Sequence, residues 1–189
     1  MNRVNYKKLQ MTELIEYTQN LDMKATAELI KRSQKGIYTF FAHLCPMHES
    51  VSDLTQETLI KIVKNIRKLK DSGHFNSWSH KIAINVFYDS MRRKNRSLRT
   101  IDCDCEDARY VVDNRLLPCE NCQSKELESQ IKLCIVHLPV NARLAIILRE
   151  LRGFSYEEIA KLTNTNLGTV KSRIARAREK LQGELSSYL

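Results

Sequence analysis

Three groups of side chains in this 189-residue chain have the types and spacing to do chemistry. The first is a set of thiols. Cys103-Asp-Cys105 and Cys119-Glu-Asn-Cys122 supply four thiolates, the ligand count of a tetrahedral zinc site, and the same four could close by reversible oxidation. The second is a mixture of aromatics and cations: Trp78, Phe87 and Tyr88 beside Lys81, Asn85, Arg92, Arg93, Lys94 and Arg96. Aromatic faces stack on bases while cations hold the backbone, which is what single-stranded nucleic acid requires. A base drawn out of its stack needs such a pocket. Core packing competes with that role for Trp78 and Phe87. The third is a polar and basic set, Thr169, Lys171, Ser172, Arg173, Arg176 and Arg178, close to the end of the chain.

No nucleophile–base pair and no glycine-rich phosphate loop accompany these groups, so the chain does not read as an enzyme. Net charge is +9 and the pI is near 9.3, which favours a polyanionic partner. The charge is uneven: residues 51–100 carry +7, residues 101–130 carry −5 and residues 131–189 carry +5. Two basic blocks flanking an acidic one imply two nucleic-acid-facing modules and a linker that repels DNA. No apolar run approaches the length of a membrane span and the start lacks an apolar signal region, so a cytoplasmic protein without membrane insertion is expected.

The elements that must position these groups are helical. Only 5 glycines and 3 prolines interrupt the chain, and no stretch alternates for long as a strand would, so an all-α fold is expected. A short helix spans 12–20 with Leu14, Ile15 and Tyr17 as its apolar residues. A longer one runs from Lys24 to about Leu44, with Ala27, Ile30, Ile37, Phe40, Phe41 and Leu44 on its apolar side. Gly36 weakens it slightly and Pro46 ends it. A third begins within 48–52 and runs to Leu69, with a stripe of Leu59, Ile62, Val63, Ile66 and Leu69. Asp53, Gln56 and Glu57 cluster on its first turns, away from that stripe. Asp71 to His74 form a turn, and a fourth helix spans about Ser79 to Lys94 with Ile82, Val86 and Met91 inward. Residues 97–124 read as an irregular acidic linker. Helix resumes over 125–138, and Pro139 opens another from Val140 to Leu151.

Residues 155–181 carry the densest set of agreeing signals. Ser155 is a good N-cap, and Glu158 three residues on completes a capping box. Gly153 suits the end of the preceding helix. Ile159, Ala160 and Leu162 face inward. Thr163-Asn-Thr-Asn166 is a turn whose last residue can cap a second helix. In that helix Val170, Ile174, Ala177 and Leu181 recur at helical spacing. Two short helices with a tight turn, the second polar at its start and basic beyond, make a helix-turn-helix. Its short side chains would meet base edges in the major groove and its cations the phosphates. The competing possibility is a solvated basic helix in an ordinary bundle.

In order and spacing these segments resemble the extracytoplasmic-function (ECF) group of bacterial RNA polymerase sigma factors, over about residues 12–96 and 125–182. Asp53-Leu-Thr-Gln-Glu-Thr-Leu59 is similar to that family's polymerase-binding signature. Ile82-Ala-Ile-Asn85 and Asp89 through Lys94 resemble its promoter-melting helix. Leu138-Pro139, Leu148-Arg-Glu150, Gly153 through Ala160, Gly168 through Arg173 and Arg176-Ala-Arg178 resemble its region 4. The resemblance implies a region 2 domain at 12–96, an acidic linker at 97–124 and a region 4 domain at 125–185. It also implies binding of core RNA polymerase and of promoter DNA, duplex and melted. Asp53, Gln56 and Glu57 would meet the polymerase clamp. Phe75, Trp78, Lys81, Asn85, Tyr88, Arg92 and Arg93 would open the −10 element. Thr169, Lys171, Ser172, Arg173, Arg176 and Arg178 would read the −35 element. Members of the family commonly have an anti-sigma factor as a further partner.

The cysteines depart from the resemblance, which needs none in its linker and requires no cofactor. Zinc on Cys103, Cys105, Cys119 and Cys122, or their reversible oxidation, stands beside the alternative of incidental thiols in a tolerant loop. Cys45 and Cys134 sit in apolar helix contexts and read as small buried hydrophobes. Two rival functions remain. A helix-turn-helix regulator acting without polymerase would leave Asp53, Gln56 and the Trp78–Tyr88 aromatics without a task. A cysteine-based oxidoreductase would want its Cys-x-x-Cys at a helix start in an α/β fold.

Overall fold

The computed structural model describes residues 4–45, 51–99, 131 and 133–185. Every regular element among them is helical, as the composition predicts. The four linker cysteines lie outside the described residues, as does most of the expected linker. Contacts divide the chain into two compact units. The first holds residues Met1–Phe41 and Ser50–Cys103, the second Ala42–Glu49 and Asp104–Leu189.

The first unit is built from α1 (Met11–Gln19), most of α2 (Met23–Leu44), α3 (Val51–Asn65) and α4 (Phe75–Arg99). Leu14 and Ile15 are buried as expected, but Tyr17 is exposed and Thr18 takes the inward position. Thr18 can do so because its hydroxyl donates to the Leu14 carbonyl at 2.8 Å, which satisfies it inside the core. Leu21 turns the chain at φ 65, a left-handed conformation that disfavours residues with a Cβ. Asp22 then caps α2, accepting from the Lys24 and Ala25 amides at 2.8 and 3.0 Å.

The inward side of α2 begins one to two residues out of phase with the sequence pattern. Ala25 and Leu29 are buried and Ala27 is exposed, while Ile37, Phe40 and Phe41 hold as predicted. On α3 the stripe of Leu59, Ile62, Ile66 and Leu69 is buried, and Val63 lies at its edge. Its last turn tightens to 3-10 over Ile66–Lys68, where the Gln19 side-chain amide donates to the Ile66 and Leu69 carbonyls.

The second unit contains a helical segment at 133–136, α5 (Val140–Ile146), α6 (Tyr156–Thr163) and α7 (Leu167–Leu185). The single helix expected over 140–151 is in fact α-helix followed by a π segment, Ile147–Leu151. Gly153 follows at φ 73, where a Cβ would be strained. Phe154 then returns into the core, with its amide on the Leu148 carbonyl at 3.1 Å. Cys134 is buried and Cys45 half-buried. Burial pushes both thiols up, that of Cys45 to about 12, so neither is poised as a thiolate.

Candidate nucleic-acid interface

On the first unit the candidate interface is α4. It begins at Phe75, four residues before the sequence suggests. Asp71 explains the difference. Its carboxylate accepts from the Gly73 amide at 2.8 Å and pairs with His74 Nδ1 at 2.8 Å, closing a 3-10 turn that leads directly into the helix. These bonds hold the Asp71 carboxyl below its ordinary range, the Gly73 amide first. Phe75 is only 8 % exposed, its ring 6.2 Å from that of Trp78. This corrects its expected place among the DNA-facing residues: Phe75 is buried in the core, its ring tilted against that of Trp78. Phe87, 2 % exposed, is also core.

Trp78, Lys81, Asn85, Tyr88 and Arg92 follow one another at three- and four-residue steps, so the helix puts all five on one face. The buried Ser79, Ala83, Val86 and Phe87 occupy the opposite side. Asn85 and Arg92 are exposed, whereas Trp78, Lys81 and Tyr88 are half-buried. Partial burial lowers the Lys81 pKa by desolvation. One strip therefore carries aromatic surface, a neutral amide and two cations.

Arg93 lies beside that strip, on the edge of α4 that meets α3. Its Nη2 donates to Glu57 Oε2 at 2.9 Å, and Glu57 Oε1 accepts from Lys61 at 2.9 Å. Lys61 is also 3.7 Å from Asp89, which is 3.8 Å from Arg92. Desolvation acts to raise the Glu57 pKa, but the Lys61 and Arg93 bonds outweigh it and the carboxyl ends below its ordinary range. Of the expected polymerase-binding trio, Asp53 and Gln56 are exposed while Glu57 is half-buried in this network. No local pattern signals this network, because Glu57 and Arg93 are thirty-six positions apart.

On the second unit the candidate interface is α6 and α7. The capping box forms: the Glu158 amide donates to Ser155 Oγ at 3.2 Å and the Ser155 amide to Glu158 at 2.8 Å. Asn164 adopts φ 52 at the turn, and Asn166 caps α7 by accepting from the Thr169 amide at 2.7 Å. Val170, Ile174 and Ala177 are each 1 % exposed, and Leu181 is half-buried. About that stripe the six candidate readers divide. Thr169, Ser172, Arg173 and Arg176 fall on one side at helical spacing; Lys171 and Arg178 fall on the other flank. Arg178 donates from Nε and Nη2 to Glu150 at 3.2 and 2.5 Å, so its guanidinium is held within the unit. Those bonds to Glu150 raise its pKa.

The π segment positions that acceptor. It turns Glu150 toward α7 and brings the Arg149 guanidinium 4.8 Å from the centre of the Tyr156 ring, with Nη1 on the Phe154 carbonyl at 3.0 Å. Residues 148–156 thus brace the helix-turn-helix. Among the described residues no cluster of His, Cys, Asp or Glu could hold a metal ion.

Both units have counterparts among known proteins. Residues 29–97 match the family model of Sigma-70 region 2, and residues 128–181 that of Sigma-70 region 4. The ECF RNA polymerase sigma-E factor of Haemophilus influenzae is 31 % identical over 187 residues, spanning 95 % of this chain and 98 % of that one. Its counterpart in Escherichia coli K12 is 32 % identical over 187 residues, spanning 95 % and 97 %. A sigma factor from Bartonella quintana, solved in complex with an anti-sigma factor, superposes with a TM-score of 0.67 at 26 % identity. That likeness covers 87 % of this chain and 98 % of that one. With α4 as its region 2 helix and α6–α7 as its region 4 helix-turn-helix, the chain belongs to the ECF sigma factors of bacterial RNA polymerase.

Proposed function

We propose that the chain docks on core RNA polymerase through Asp53 and Gln56, opens the −10 element along α4 and reads the −35 element with the start of α7. That the protein is a sigma factor, serving promoter recognition and transcription initiation, follows from its family. The residue assignments rest on one observation above all: Trp78, Lys81, Asn85, Tyr88 and Arg92 share a single face of α4. Stacking surface, a base-edge partner and phosphate-binding cations then lie along one line, as a melted strand requires. A regulator working without polymerase would have no use for the region 2 match at residues 29–97.

The division of α7 favours Thr169, Ser172, Arg173 and Arg176 as the −35 contacts, with Lys171 on the flank. Arg176→Ala is expected to weaken binding of a −35 duplex by about 1–3 kcal/mol and to relax discrimination at one base pair. Matched and mismatched duplexes decide the matter. A uniform loss across sequences would make Arg176 a phosphate contact, and no loss on either duplex would remove it from the interface. Arg178→Ala, by contrast, should act through the Glu150 brace and leave base preference unchanged.

Further assignments complete the proposal. Among the described residues no helix is long and apolar enough to cross a membrane, and polymerase is the working partner, which together favour action in the cytoplasm by binding rather than by catalysis. The Bartonella relative's complex favours an anti-sigma factor as a second partner. Zinc on Cys103, Cys105, Cys119 and Cys122 is supported by their spacing alone. Metal analysis of the purified chain should then find about one zinc, lost in the Cys119→Ser/Cys122→Ser variant. Metal-free wild type that still transcribes normally would retire the zinc.

A further inference from the structure

We propose that Glu57 is a positioning residue for promoter DNA: by bridging Lys61 and Arg93 it fixes Arg93 at the edge of the α4 strip, ready for a backbone phosphate. The proposal rests on the region 2 function assigned above. It moves Glu57 from the polymerase surface, where its neighbours Asp53 and Gln56 remain, to the support of the DNA surface.

The geometry favours support over either simple alternative. Glu57 directs its two oxygens to two different cations, Lys61 on its own helix and Arg93 on the next, both at 2.9 Å. A carboxylate so divided, and half-buried between α3 and α4, is poorly placed to reach outward to another protein. Asp53 and Gln56, one turn and one residue earlier, are exposed.

Competition with DNA is the other alternative, since a carboxylate beside Arg93 repels phosphate. Two observations weigh against it. Glu57 engages Arg93 through Nη2 only, one of the guanidinium's three nitrogens, and one such bond leaves four of its five N–H donors. A bidentate clamp would have used the edge that phosphate needs. The linked set Arg92, Asp89, Lys61, Glu57 and Arg93 also keeps a net positive charge, three cations against two carboxylates. Repulsion from Glu57 is therefore offset locally, while the entropy lost in ordering the long Arg93 side chain is already spent in the folded protein.

The test uses holoenzyme assembled with core RNA polymerase. Wild type, Glu57→Gln, Arg93→Gln and the double variant are compared for core affinity by competition and for affinity to a promoter whose −10 region is pre-melted. Glu57→Gln should leave core affinity within about twofold and weaken binding to the pre-melted promoter roughly threefold to fivefold, the scale of an exposed ion pair. In the Arg93→Gln background the same change should have no further effect, because its object is gone. Tighter DNA binding by Glu57→Gln would make Glu57 a competitor and overturn the proposal. So would a loss confined to core affinity, an equal loss in both backgrounds, or no change at all. Wild type that fails to join core polymerase or to bind the promoter would instead overturn the assigned function, a result distinct from all of these.

Discussion

Replacing Arg143 with methionine is expected to destabilise the region 4 unit by roughly 2–5 kcal/mol, enough to unfold it near physiological temperature. Arg143 on α5 is 7 % exposed, an unusual burial for a guanidinium. Its Nη2 donates to the carbonyl of Leu138 at 3.0 Å and to that of Val136, where the helical segment 133–136 ends. A helix end leaves carbonyls without partners, and a buried cation there satisfies them while meeting the negative end of the dipole. Methionine retains the bulk but no donor, so buried carbonyls lose their bonds at about 1–3 kcal/mol each. Lysine should rescue poorly, because an ammonium lacks the planar fork that reaches two acceptors.

Trp78 is the only tryptophan and lies in the other unit, which localises the effect. In urea, the variant should lose helical circular dichroism before Trp78 emission changes, and −35 binding should fail in step with the first loss. A midpoint unchanged from wild type for both signals would show that Arg143 is dispensable.

The sequence disclosed the elements whose signals are local. The Ser155–Glu158 capping box, the Asn166 cap and the Val170–Ile174–Ala177 stripe all lie within one or two turns of their partners, and all appear as expected. Periodicity placed α2 but missed its phase at the start, since Ala25 and Ala27 are chemically alike and only packing distinguishes them. The early start of α4 was hidden because Asp71 acts through a 3-10 turn, which leaves no period in the sequence. Non-local pairs were invisible. Glu57 with Arg93 and Glu150 with Arg178 join residues thirty-six and twenty-eight positions apart, and each re-sorts a list of candidate contacts. Phe75 shows the same limit: an aromatic beside cations reads alike whether its ring faces a base or the core, and burial alone decides.

The second large effect is a separation of steps between α3 and α4. Asp53→Ala combined with Gln56→Ala is expected to weaken core polymerase binding by about 2–4 kcal/mol, roughly thirtyfold to a thousandfold, the range of truncated interface anchors. Both side chains are exposed and neither belongs to the Leu59–Ile62–Ile66 stripe, so the unit should stay folded. Asn85→Ala and Trp78→Ala should spare core binding and impair promoter opening, the first by removing a hydrogen bond to a base edge, the second by removing a base–aromatic stack of about 1–3 kcal/mol. Asn85 is the cleaner variant because it is exposed; Trp78 also packs on Phe75, so Trp78→Phe serves as its control for lost bulk. Competition for core enzyme reads the first step, and permanganate reactivity of unpaired thymines in the preformed holoenzyme complex reads the second. If the Asp53/Gln56 double variant competes for core as well as wild type does, polymerase meets some other surface of the chain. If Asn85→Ala opens promoters normally, the strip along α4 is not where the melted strand lies.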